Sequence, residues 1–260
     1  MKCAPFEYVR PTSVDDVLAA LAEADGEGKI LAGGQSLVPV MALRMARPAV
    51  LVDVNRVDGL SALDHAGGNV HVGALVRHQA LAAQTLHPLL AEAARHIGHT
   101  AVRTRGTAGG SIAHADPAAE LPVVAVATGA TVTVAGPQGD RWVAAEDVFA
   151  GPLMTTLDPG EMVTGVDFPV PTRWGFAEFA RRHGDFALVT VVVAEVGGEV
   201  RTAVGGVGPV PVRARATRPE ELADELSPTG DLHGTADFRR GVAVEMARRA
   251  FASAGIREAA

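Results

Sequence analysis

Two short segments of this chain place paired glycines beside hydroxyl and amide side chains. They are Ala32-Gly33-Gly34-Gln35-Ser36 and Thr107-Ala108-Gly109-Gly110-Ser111. Paired glycines let a backbone take positive φ and approach a ligand closely. Successive N–H groups can then converge on phosphate oxygens. A strand before the first pair and a helix after it would add the positive end of a helix dipole. Gln35, Ser36 and Ser111 contribute side-chain donors. Two such segments can clamp a diphosphate from two sides, which suits a dinucleotide. A lone Gly-Gly is more often only a turn. The chain has 29 glycines, and Gly67-Gly68, Gly197-Gly198 and Gly205-Gly206 read as turns. Neither segment carries the three spaced glycines of the Rossmann fingerprint or the Gly-Lys-Ser/Thr of a P-loop. The residues alone therefore indicate an anion or nucleotide site.

Other reactive groups say less. His114 and Asp116 lie two residues apart, but a metal needs a third ligand, and none has suggestive spacing. A role in shaping the segment or facing a cofactor is the preferred reading. Asp116 can alternatively cap a helix that follows Pro117. His96 and His99 have helical spacing with Gly98 between them, which marks a helix end. Arg103, Arg105, Arg181 and Arg182 can neutralise phosphates, face a partner, or form a solvated surface. Ser36 and Ser111 lack the Gly-x-Ser-x-Gly elbow of a nucleophile. The one cysteine, Cys3, can neither close an intrachain disulfide nor ligate an iron–sulfur cluster alone.

These groups must be positioned by a mixed α and β framework. A helix is expected from Ser13, with Val14, Val17, Leu18 and Leu21 on one face. A strand over Lys29–Ala32 leads into the first glycine pair. A helix over Val38–Arg44 and a strand over Val50–Val54 follow. A hairpin at 66–69 opens the next unit, with helices near Arg77–Gln84 and His87–His96. The second glycine segment is expected as a loop over 106–111, then a helix over Ala118–Ala127. Strands are expected at 130–135, 141–144 and 162–168. Pro169-Val170-Pro171-Thr172 reads as a linker. Three strands (176–180, 188–196 and 200–207) and two helices (219–226 and 235–254) complete a small α+β unit.

The chain has 260 residues, 48% hydrophobic, 20% charged and only 4% aromatic. That places it among globular proteins with a core of small aliphatic side chains. The net charge of −7 argues against nucleic acid as a partner. No apolar run reaches the roughly 20 residues of a membrane span. The start of the chain lacks an apolar signal core, so a cytoplasmic location is expected.

The two glycine segments and their flanks resemble a known family. Ala32-Gly33-Gly34-Gln35-Ser36-Leu37, then Leu43-Arg44 and Val52-Asp53-Val54-Asn55, is similar to the first FAD loop of the flavoprotein (medium) subunits of molybdenum hydroxylases. Carbon monoxide dehydrogenase and xanthine dehydrogenase typify that family. The longer stretch Val102 through Pro122 resembles its second loop. Gly151-Pro152-Leu153, Thr156-Leu157 and Glu161 resemble the end of its flavin domain. Arg181 through Val189, Asp237 to Arg240 and Arg248 to Ala250 resemble its C-terminal domain. The sequence departs from the family pattern at Thr104, Ala108 and Glu178, where asparagine, isoleucine or valine, and lysine are common.

The resemblance implies an α+β fold: a two-lobed vanillyl-alcohol-oxidase-type FAD domain, then a small α+β domain with a three-stranded sheet. The implied boundaries are 1–57, 58–170 and 171–260. It implies FAD contacts from Ile30, Leu31, Ala32, Gly33, Gly34, Gln35, Ser36 and Leu37. Further contacts are implied from Ile97, Thr107, Ala108, Gly109, Gly110, Ser111, His114, Asp116, Glu120 and Leu157. No side chain is implied as a catalytic acid or base. The implied partners are a molybdopterin-containing large subunit and a 2Fe-2S small subunit, with NAD, a quinone or oxygen as acceptor. A stand-alone flavoenzyme acting on its own small organic substrate is the alternative. A non-catalytic nucleotide-binding or assembly protein is the third reading.

Overall fold

A computed structural model describes residues 2–256. The strands form three main sheets. The first joins β1 (Glu7–Val9), β2 (Gly28–Leu31) and β3 (Val50–Asp53) in the order β1-β3-β2, all parallel. The second contains β4 (Leu63–Ala66), β5 (Asn69–Gly73), β6 (Thr131–Gly136), β7 (Gly139–Ala144) and β10 (Met162–Pro169). Its order is β4-β5-β10-β6-β7, with antiparallel pairings. A small hairpin, β8 (Phe149–Gly151) and β9 (Met154–Thr155), lies between β7 and β10 in the chain. The third sheet is β11 (Arg173–Phe179), β12 (Val189–Val196), β13 (Glu199–Gly205) and β14 (Val212–Ala214), in sequential antiparallel order.

Ten α-helices cover these sheets among the described residues. They are α1 (Val14–Glu23), α2 (Leu37–Ala42), α3 (His78–Ala83), α4 (Pro88–His96), α5 (Thr100–Arg103) and α6 (Ala108–His114) in the first half. The rest are α7 (Glu120–Thr128), α8 (Ala145–Val148), α9 (Leu222–Glu225) and α10 (Ala236–Ala254). None is long and apolar enough to cross a membrane.

The expected start of α1 holds: the Ser13 hydroxyl accepts from the Asp16 N–H at 3.1 Å. Val17 and Leu21 point into a core with Val52 and Val54. Helix α7 is different, because all nine of its residues are buried. A helix apolar on every face must be covered on every face. It packs on β12 and β13 on one side and on α4 on another. The core around α7 therefore takes in Val192, Ala194 and Ala203 from the third sheet as well as Val132 and Val166 from the second. The other face of the third sheet packs on α10 through Val191, Val193, Met246 and Phe251.

Several expectations need correction. The third sheet has four strands rather than three. Strand β14 spans only three residues behind Pro209 and Pro211, too short to show alternation. The stretch 169–172 is not a free linker. Pro169 ends β10 opposite Asn69, Val170 N–H bonds the Gly68 carbonyl, and Thr172 N–H bonds Glu195. Proline is tolerated there because a strand end needs no further donor. Helix α2 stops at Ala42 rather than Arg44, because Arg44 is left-handed at φ 60°. Residues 106–111 are not a loop, since the second glycine pair lies inside the first turn of α6. The helix expected from Ala118 starts at Glu120, and the one expected over 219–226 splits into a 3₁₀ turn and α9.

Helix α10 offers a simple check on this description. Gly241 is an exposed helical residue, and a β-carbon there would meet nothing within 4 Å. Gly241→Ala is expected to raise stability by about 0.5–1 kcal/mol, read by thermal or urea denaturation.

Candidate functional site

The first glycine segment is a turn between β2 and α2. Gly34 takes φ +74°, which a side chain rarely tolerates. Gly33 is buried against the second segment, where a β-carbon would be driven into the Arg105 carbonyl and within 2.9 Å of the Gly106 Cα. The main-chain N–H groups from Gly33 to Leu37 find no acceptor among the described residues, and Ser36 makes no side-chain cap. Gln35 and Ser36 are exposed. The segment thus presents consecutive free donors, as an anion-binding turn must.

The second segment is built differently. Thr107 caps α6, its hydroxyl accepting from Gly110 N–H at 3.2 Å. Ala108 and Gly109 N–H groups bond the carbonyls of Val76 and Ala74, and Ser111 N–H bonds Thr107 O. A β-carbon on Gly109 would lie 2.5 Å from the Ala74 Cβ, so this glycine lets α6 pack closely. The two glycine pairs are therefore not equivalent clamps. The first offers donors, while the second forms a tightly packed wall that the first is pressed against.

The join between them is made by residues the sequence reading missed. Arg77 donates from Nη1 to the Arg105 carbonyl at 2.5 Å and from Nη2 to Asn55 Oδ1 at 2.6 Å. Asn55 Nδ2 donates to the Ala32 carbonyl at 2.8 Å and to Asp53 Oδ1 at 2.6 Å. Asp53 in turn accepts from the Tyr8 hydroxyl. Asn55 belongs to the stretch that resembles the family's first FAD loop, but nothing in its type or spacing marks it as a bridge. Arg77 sits after β5, away from both glycine pairs in sequence. Only the tertiary fold reveals it. Of the four arginines that could neutralise phosphates, face a partner or lie solvated, two have their guanidinium groups engaged elsewhere. Arg103 Nη1 bonds the carbonyls of Ile97 and Gly98, closing the end of α4, and Arg181 bonds the His233 carbonyl.

Behind the second segment lies His78, buried and bonded through Nε2 to Thr107 O at 2.9 Å. Burial holds its imidazole down to about 4, so it is neutral. Its Nδ1 has no partner among the described residues and lies where a Gly106 side chain would be.

A second cluster forms where α4, α7 and β11 meet. Glu120 opens α7 and is only 6% exposed. Burial lifts its carboxyl to about 8, with the Glu178 charge adding to the shift and His96 offsetting it. His96 lies 3.3 Å from Glu92 and 3.7 Å from Glu178, with its ring on Phe176. Its imidazole is raised above the ordinary value, first by the neighbouring Glu178 carboxylate. Ile97, the next residue, ends α4 and is buried.

The remaining expected residues are spread over several elements. Ile30 and Leu31 lie in β2 and Leu37 begins α2. His114 ends α6, half-buried. Asp116 does not cap α7. Its Oδ1 accepts from Ala118 N–H at 2.9 Å and shapes the turn ahead of that helix. Leu157 is half-buried against the core that holds α6 and α7. Ser111 is half-buried at the second segment.

The family described as the FAD binding domain in molybdopterin dehydrogenase matches residues 4–171. The nicotine 6-hydroxylase medium subunit of Paenarthrobacter nicotinovorans is 40% identical, with 99% of this chain and 100% of that protein covered. The carbon monoxide dehydrogenase medium chain of Hydrogenophaga pseudoflava is 34% identical over 97% of this chain and 98% of that one. A solved structure of carbon monoxide dehydrogenase from Hydrogenophaga pseudoflava superposes with a TM-score of 0.92, covering 100% of both chains at 34% identity. Quinoline 2-oxidoreductase from Pseudomonas putida 86 gives 0.89 at 35% identity, covering 98% of each chain. The free donors of the first segment and its contact with the second fit a dinucleotide of that kind. The chain belongs to the FAD-binding medium subunits of the molybdenum hydroxylase family.

Proposed function

We propose that this chain is the flavin relay of a multi-subunit oxidoreductase. The observation that carries the reading is the row of unpaired N–H groups from Gly33 to Leu37, pressed against Arg105 and Gly106. Those N–H groups would hold the FAD diphosphate. Gln35 and Ser36 would add side-chain donors, and Ser111 on α6 a further hydroxyl. Ile97, His114, Asp116, Glu120 and Leu157, with Ile30 to Ala32 and Thr107 to Gly110, make up the rest of the cofactor's surroundings. When bound, FAD supplies the redox chemistry. The chain's residues hold the cofactor and exclude water, and none is needed as acid or base. Residues 1–57 and 58–170 form the two lobes around the cofactor, and 171–260 form the third unit.

The electrons come from a partner with 2Fe-2S clusters, and behind it a partner with molybdopterin. They leave to NAD, a quinone or oxygen. The lone Cys3 supports this division, because the chain cannot ligate a cluster by itself. Purification under native conditions tests it. One FAD per chain, with iron, molybdenum and two further subunits, is the expected result. A yellow isolated chain that turns over an organic substrate by itself would favour a stand-alone flavoenzyme. A colourless chain that cannot be loaded with FAD would contradict both.

A further inference from the structure

Arg77 is a half-buried guanidinium placed between the two glycine segments. Its hydrogen-bond partners are a carbonyl and a side-chain amide oxygen, both uncharged. Among the described residues no carboxylate lies within ion-pair distance of it. Asp53 acts on it from farther off, but Asp53 is already engaged by Tyr8, Asn55 and Arg10. Burial and the neighbouring Arg105 both work against the Arg77 charge. An arginine does not escape by losing its proton, so the charge stays. A half-buried cation without a counter-ion keeps part of that desolvation cost. That cost falls when an anion arrives.

We propose that Arg77 is the cationic staple of the cofactor site: it holds the two glycine segments in register and provides the positive charge that a dinucleotide diphosphate meets there. The inference rests on the reading that the diphosphate lies along Gly33 to Leu37. The register part follows from connectivity. Through Asn55, Arg77 is tied to the Ala32 carbonyl, one residue before the first glycine pair. Through Nη1 it is tied to the Arg105 carbonyl, the atom against which Gly33 is packed. One planar fork therefore spans both walls. Lysine, a point charge on a flexible stem, cannot bridge the two acceptors in that geometry. Arg77 is a positioning residue by this account, acting through the two carbonyls and through its field.

The test is equilibrium binding of FAD and of ADP to the deflavinated full chain at low and moderate salt. Wild type, Arg77→Met and Arg77→Lys are compared, with circular dichroism reporting the fold. Arg77→Met is expected to weaken both FAD and ADP by roughly ten- to a hundredfold and to flatten the salt dependence of binding. Arg77→Lys keeps the charge and loses the fork. It should recover the salt dependence but only part of the affinity. That partial rescue separates a charge role from simple packing, and it stands even if Arg77→Met fails to fold. Wild-type affinity and salt dependence in Arg77→Lys, or in a folded Arg77→Met, would overturn the proposal while leaving the FAD site intact. Failure of the wild type to bind FAD would overturn the proposal together with the reading beneath it.

Discussion

Gly33→Ala is expected to abolish flavin retention while the chain still folds. The added methyl has no room, since the Arg105 carbonyl occupies its position and the Gly106 Cα lies 2.9 Å from it. Neither atom can yield easily. Arg77 holds the Arg105 carbonyl, Gly106 N–H is bonded to Val102 O, and His78 N–H is bonded to Gly106 O. The first segment must therefore move instead. Moving it shifts the whole row of donors from Gly33 to Leu37 off the phosphate positions. A displacement near 1 Å breaks several charge-assisted hydrogen bonds together, so FAD affinity should fall about a hundredfold or more. The apoprotein loses less, because the segment lies at the edge of the core, and its midpoint should drop by only a few degrees. Flavin content after gel filtration and thermal denaturation measure the two effects separately. Wild-type flavin content in folded Gly33→Ala would show that the two segments do not form one site.

The second large effect is a loss of stability as pH rises, centred on Glu120. Its folded carboxyl titrates at about 8 against an ordinary value of 4.5. The folded state thus keeps a proton that the unfolded chain has released. Stability from this group is complete below the unfolded value and is lost as pH climbs through about 8. His96 is also raised, and it works in the same direction. His78 and His87, both held down to about 4 by burial, work in the opposite direction, but only below about pH 6.5. Carboxyls lowered by arginines, such as Asp231 at about 2, titrate in acid. The clean window is therefore between about pH 6.5 and 8.5. Across it Glu120 alone should cost the chain about 2 kcal/mol, or roughly 4–8 °C in midpoint. Glu120→Gln carries no titrating group and should flatten most of that slope, leaving the His96 part. A wild-type stability that is level or rising across the window would contradict the buried, protonated state of Glu120.

Much of the fold was readable because its signals are local. Ser13 caps α1 through a hydrogen bond any sequence can advertise, and the Val-rich runs of β3, β10 and β12 show plainly as strands. The resemblance carried the identity of the cofactor. What was not readable depends on distant contacts. Glycines at 109 and 110 look like a loop, yet Thr107 caps them into a helix and Ala74 demands the missing side chain at 109. Strand β14 exists because β13 offers a free edge, not because of its own three residues. Arg77 and Asn55 carry no motif, and their role arises only when β3 and the start of α3 meet the glycine segments. By charge Arg103 suits a phosphate, a partner face or solvent alike, and the fold spends it on the carbonyls at the end of α4. Glu120 was singled out by resemblance, but its protonation reflects complete burial of α7 and the approach of Glu178, which no local pattern shows.

The relay itself is tested most directly by rapid anaerobic mixing of the assembled complex with a substrate its molybdopterin subunit oxidises, following the flavin absorption band. The flavin should bleach in the complex after the iron–sulfur signal changes. It should stay oxidised when the same substrate meets this chain alone. Bleaching by the isolated chain, or a flavin that stays oxidised in an active complex, would contradict the role assigned here.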